Sequence, residues 1–276
     1  MQAVATITTN QREQSEQARV RALVRFNGLT FHSIAMASFL ETAVPLQVNR
    51  LAQVFGAHPD ASLWLEQIWW PQRAELGRQL REYIEATWPE FDWSAAYQEF
   101  CEPYRPRSGL EKRDSGAALE ALALCVTAAQ AAMFYRALAN SADEPALRAL
   151  ARNAACGHAG HFDYFRALFE RCKRSGRVGF AATWRTVIAV SRCAREHDVA
   201  SAFQALGQNW SRAPVVPALG FPEYRERMAR LIQRHAAPGT VERMLFRPWL
   251  ARERAAPVLQ TPAARRDRWL PAAQPA

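Results

Sequence analysis

The chain reads as an all-α protein, a long antiparallel helical bundle with additional helices towards its C-terminus. Three observations predict this. Apolar residues recur at helical spacing nearly everywhere between residues 19 and 250. No alternating stretch longer than a few residues has the pattern of a half-buried strand. Four of the periodic segments are long enough, at about 1.5 Å per residue, to pack side by side over about 40 Å.

The first of these segments is 30–55, TFHSIAMASFLETAVPLQVNRLAQVF, closed by Gly56 and by Pro59 beyond it. The second is 61–87, with Pro71 inside it, so a bend or local break is expected within one turn of Ile68. A short helix follows from Asp92, a good N-cap, to about Glu102. The segment PYRPRSGLEKRDSG reads as loop by composition. The third and fourth long helices are 115–140 and 144–174, the latter with Asp143 as its cap and Pro145 in its first turn. Shorter helices are expected at 180–196, 198–209 and 221–235. Residues 1–18 read as a polar arm, 19–250 as one domain, and 251–276 as an Arg/Pro/Ala-rich tail.

Composition narrows the function. Of 276 residues, 49% are hydrophobic, which is enough to build a core. The formal charge of +9 leaves nucleic acid, an anionic membrane face and an acidic carrier protein open as partners. No nucleic-acid recognition motif accompanies it, which argues against that partner. The five cysteines are scattered, with no C-x-x-C pair, as in a reducing compartment rather than a disulfide framework or zinc knuckle. The N-terminus has no apolar signal core, and no run of about 18 apolar residues predicts a membrane span. The expected location is the cytoplasm.

The chemistry-bearing residues are few. His158 and His161, in CGHAGHFDYF, are spaced i, i+3 and share a helix face. Two imidazoles on one face suit a metal site inside a bundle, or a hydrogen-bonded polar pair. Gly157 and Gly160 beside them cost roughly 1 kcal/mol each relative to alanine, so either close packing or room for a ligand is implied. Glu41 lies in an apolar helix, where a carboxylate needs a metal or a partner such as Arg73. Tyr135 is the third candidate, as a radical or hydrogen-bonding group at the core. His32 is placed to reach the bundle centre one to two turns before Glu41.

These pieces, in this order, resemble the soluble acyl-carrier-protein desaturases and their ferritin-like relatives over residues 35–170. LETAVPLQVNRL resembles the family's first metal helix, with Glu41 at or next to its glutamate. IWWPQRAELGRQLREYI resembles the second, with Gly77, Leu80 and Tyr83 matching. The family's E-x-x-H there reads Arg73, Ala74, Glu75, Leu76, so both ligands are gone. In the third helix Tyr135 matches a frequent aromatic, and Ala128 stands for a glutamate. In the fourth, His161 matches the family histidine and His158 stands for the glutamate. A displacement by one turn would bring Glu75 or Glu120 into consideration.

The resemblance implies a ferritin-like bundle and an oxidoreductase ancestry, with a dismantled two-iron site. Two functions follow as expectations. In the first, Glu41, His158 and His161 hold a single iron, with Tyr135 in a catalytic role. The substrate is then an acyl chain or similar apolar molecule, delivered on an acidic acyl carrier protein. In the second, the bundle is non-catalytic and serves as a structural partner or as a binder of an apolar ligand. A homodimer, or pairing with a related ferritin-like subunit, accompanies either.

Overall fold

A computed structural model describes residues 22, 24–110, 116–175, 178–207, 209–210 and 214–235. The expected arm at 1–18 and tail at 251–276 lie outside the described residues. Among the described residues there are nine α-helices and one π turn, and no strand beyond an isolated bridge between Phe91 and Trp210. The helices are α1 (Gly28–Thr42), α2 (Pro45–Val54), α3 (Pro59–Trp64), α4 (Trp70–Thr87), α5 (Trp93–Leu110), α6 (Ala117–Ser141), α7 (Pro145–Ser175), α8 (Phe180–Ala205) and α9 (Phe221–His235).

The expected single helix over 30–55 is broken. It divides at Ala43 and Val44 into α1 and α2, bent by 48°. Pro45 has no N–H to give to the Glu41 carbonyl, and its ring crowds that turn. The chain bridges the break with short i→i−3 bonds, Leu46 N–H to Ala43 and Gln47 N–H to Val44. The second long helix also breaks where Pro71 predicts. Between α3 and α4 lies the π turn Leu65–Trp69, in which Trp70 N–H reaches back five residues to the Leu65 carbonyl. The extra residue widens the turn just before the proline.

Three further boundaries differ from expectation. The segment read as loop is helical up to Leu110, because Phe100 and Cys101 carry the apolar stripe of α5 onwards into the core. The two helices expected at 180–196 and 198–209 are one, α8. No glycine or proline interrupts it, and Ala202 and Ala205 continue its buried face. The cap of α7 is Glu144 rather than Asp143. Its carboxylate is buried and accepts from Leu147 N–H at 2.6 Å. The Asp92 cap is present, accepting from Ala95 N–H at 2.9 Å.

Packing is dominated by two helix pairs. In the first, α1 and α4 run antiparallel: Phe31 meets Trp88 at one end, and Thr42 meets Gly77 at the other. In the second, α6 and α7 form a hairpin across a three-residue connection, with Tyr135 stacked on His158 and Cys125 facing the Phe162 carbonyl. Helix α8 packs against α6, α5 and α1, and α9 against α6 and α1. Helix α6 is long and apolar enough to cross a membrane by length and composition, contrary to expectation. Yet 72% of its most apolar window is buried inside the protein, as in the central helix of a core.

Buried apolar side chains form two clusters. One gathers Phe31, Phe39, Trp88, Trp93 and Phe100. The other gathers Leu51, Phe55, Trp69, Phe165 and Phe169. The seam between them crosses α1 between Phe39 and Val44, and α7 between Ala155 and Phe162. Buried Glu41, His158 and His161 lie at that seam.

Candidate functional site

Glu41, at the C-terminal end of α1, is 3% exposed. It sits there because the helix must end before Pro45, and its last turn faces α4, α6 and α7 together. Both carboxylate oxygens are engaged. Oε2 accepts from Arg73 Nε of α4. Oε1 accepts from the Tyr135 hydroxyl of α6 at 3.0 Å and from His158 Nε2 of α7 at 3.0 Å. Four helices thus converge on one carboxylate. Gly77 makes the approach of α4 possible: a Cβ there would lie 2.6 Å from Thr42 Oγ1 and 3.0 Å from the Thr42 nitrogen.

Around this centre the rings are ordered. Tyr135 and His158 stack with centroids 5.3 Å apart, and His161 stands edge-on to His158 at 5.5 Å. The His161 Nε2 meets Gln72 Oε1 at 2.9 Å. Trp64 covers the His161 edge at 5.9 Å and stacks on Tyr164, while Arg73 lies over the Trp69 ring.

The charge states follow from these contacts. Burial pushes the Glu41 carboxyl up, but the Arg73 charge and the contacts with His158 and Arg73 outweigh it and hold it at about 2. Burial lowers the His158 imidazole, and the Glu41 carboxylate offsets this only in part. Burial, aided by His158 and Arg73, puts His161 well below the usual histidine range. Burial and the Glu41 charge raise the Tyr135 hydroxyl well above the usual tyrosine value. At neutral pH the cluster is therefore Glu41 carboxylate, Arg73 cation, neutral Tyr135 and two neutral imidazoles.

A neutral imidazole carries one proton. His158 Nε2 faces a carboxylate and His161 Nε2 faces an amide oxygen, so both protons are assigned to Nε2. The two Nδ1 atoms are then bare acceptors, and both are buried without a hydrogen-bond partner among the described residues.

The structure brings together all four site residues named from the sequence, Glu41, Tyr135, His158 and His161, with Arg73 among them. It does not bring His32, whose Nδ1 donates to the Gly28 carbonyl at 2.7 Å and whose ring stacks on Phe203. Glu75 is exposed and paired with Arg78, and Glu120 is buried against Arg50, so a displaced register supplies neither. Gln72 and Trp64 were not anticipated. The π turn shifts the register of α4 by one residue, which brings the exposed Gln72 within reach of His161 beside Arg73, and Pro71 was its available signal. The glycines beside the histidines are not closely packed: a Cβ on Gly157 or Gly160 would meet nothing within 4 Å.

An intact two-iron centre does not fit this arrangement, in keeping with the dismantled site expected from the sequence. Such a centre needs several carboxylates. Here a guanidinium occupies one face of the single carboxylate, and Ala128 offers no ligand. Among the described residues, no group of three or more His, Cys, Asp or Glu side chains is placed to hold a metal ion. No protein-family model, curated protein or solved structure matches this chain.

Proposed function

We propose that the chain is a non-catalytic, ferritin-like bundle in which an internal ion pair has taken over the position of a metal, and that it works as a structural partner of another such subunit. The observation that carries this reading is the saturation of Glu41. Both its oxygens are satisfied by Arg73, Tyr135 and His158, and the pair is neutral without any added ion. A buried ion pair survives only with good geometry and further hydrogen bonds, and this one has both. The exposed side chains of Leu63, Ile68 and Trp70 around the π turn supply apolar surface that a partner subunit would cover.

A second reading is a mononuclear iron oxidoreductase acting on an acyl chain, with Glu41, His158 and His161 as ligands. The bare Nδ1 atoms of the two histidines favour it, since a buried acceptor without a partner costs about 1–3 kcal/mol. It requires Arg73 to leave Glu41 and the His158 ring to turn, because its Nε2 rather than its bare Nδ1 faces that carboxylate.

Anaerobic reconstitution with ferrous iron, followed by metal analysis, separates the two. The structural reading expects less than about a tenth of an equivalent in the wild-type chain and no change in His161→Ala. One equivalent that disappears in His161→Ala would replace it with the mononuclear reading.

A further inference from the structure

The corner where α7 ends and α8 begins combines an apolar feature with a basic one. The first is apolar. Phe180 is 68% exposed and Trp184, one turn later, is 37% exposed. Their rings are nearly parallel at 8°, with centroids 6.5 Å apart. Half-buried Ile188 extends the same face of α8 by a further turn. The adjoining face is anchored, because Thr183, Val187 and Val190 are buried in the core. The aromatic face is therefore held outwards by the packing of its own helix.

The second feature is charge. From Arg171 to Arg195 the chain carries seven cations and no carboxylate, against a net charge of +9 for the whole molecule. Arg171 is paired with Asp60 across the surface. Lys173, Arg174 and Arg185 are exposed and pair with no carboxylate among the described residues. Several surface cations on other helices are balanced on their own helix: Arg78 with Glu75 and Glu82, Arg81 with Glu85, Arg227 with Glu223.

We propose that this corner docks the protein on an anionic lipid surface, with Phe180 and Trp184 entering the headgroup boundary and Lys173, Arg174 and Arg185 facing the lipid phosphates. A nucleic acid would also stack on such rings, but no recognition motif accompanies them in the sequence, and ion pairing with an acidic protein engages the cations alone. A bilayer interface accommodates aromatic rings at headgroup level and attracts basic residues beside them. Helix α8 lies on the surface in this arrangement, with its buried face still in the core.

The test is co-sedimentation of the full chain with vesicles of phosphatidylcholine alone and of phosphatidylcholine with phosphatidylglycerol. Each basic residue near an anionic surface contributes about fivefold in partition. Binding should therefore be at least about tenfold stronger on the anionic vesicles, and should weaken as salt is raised. Lys173→Glu with Arg174→Glu should remove that preference. Phe180→Ser with Trp184→Ser should lower binding to the same vesicles, and circular dichroism should show both variants folded. The proposal is overturned by equal partition on neutral and anionic vesicles, by no partition on either, or by either double variant binding like the wild type. Tighter binding to a single-stranded RNA oligonucleotide than to the anionic vesicles also overturns it. So does a lipid-free dimer that Phe180→Ser dissociates.

Discussion

Arg73 donates its Nε to a Glu41 carboxylate that is closed off on its other side by Tyr135 and His158, so among the described residues the guanidinium is the full positive charge in contact with this buried anion. The side chain of Arg73 is 14% exposed and that of Glu41 is 4% exposed. Removing one partner from such a pair is costly, whereas removing both is not. Arg73→Met should destabilise the fold by about 3–5 kcal/mol in urea unfolding. Arg73→Met combined with Glu41→Leu should recover most of that loss. A double variant as unstable as Arg73→Met alone would mean that the pair is not where the energy lies.

Tyr135→Phe isolates one contact of the cluster. The phenol donates to a charged acceptor, a class of hydrogen bond that contributes about 1.5–3 kcal/mol. The ring should keep its stacking on His158, so the loss should stay within that range by thermal unfolding. In Glu41→Gln, the further loss on adding Tyr135→Phe should be smaller, because the acceptor is no longer charged.

Acid should weaken the fold in two stages. The folded-state values of His158 and His161 lie below 6.5, so the unfolded chain binds more protons around that pH and stability falls as pH drops through the unfolded histidine range. Glu41 is held at about 2 against an ordinary 4.5, so its contribution is complete above 4.5 and is lost as pH falls from there towards 2. Unfolding free energies measured from pH 8 to pH 3 should show both declines. Glu41→Gln should shrink the second, while Glu75→Gln reports what the exposed Glu75–Arg78 contact adds in the same lower window.

Glycine-to-alanine changes should differ in sign between two helices. By intrinsic propensity each would stabilise a helix by about 1 kcal/mol. At Gly157 and Gly160 the added Cβ meets nothing within 4 Å, so both variants should gain stability. At Gly77 it would meet the Thr42 nitrogen and hydroxyl and the Glu41 carbonyl carbon, forcing α1 from α4 beside the Arg73–Glu41 contact. Gly77→Ala should therefore unfold at lower denaturant than the wild type. A gain in stability there would show that the two helices separate freely.

Much of the helical structure was legible in the sequence because helical periodicity is a local property. The runs that became α6 and α7 carry a 3.6-residue stripe over many turns, and their ends agree with expectation to within two residues. Pro71 announced the interruption at the π turn. Pro45 carried the same signal and went unread, because an apolar stripe on both sides of it looks continuous in one dimension. The loop reading of 103–110 failed for a related reason: prolines were weighed without the core that holds Phe100 and Cys101.

At the site, the sequence by itself determined the cast. A carboxylate in an apolar helix, two histidines one turn apart and an arginine in an apolar-faced segment are each readable as residues in need of a partner. It did not determine who partners whom. Tyr135 and His158 lie 94 and 117 residues from Glu41, and no local pattern measures that separation. Only the packing of four helices around the end of α1, at the seam between two apolar clusters, decided that Arg73 and two neutral donors would share the carboxylate. The physical reason is that a side chain's need for a partner is set by burial, whereas its choice of partner is set by which backbones approach closely. Here that approach rests on Gly77 giving α4 room against Thr42.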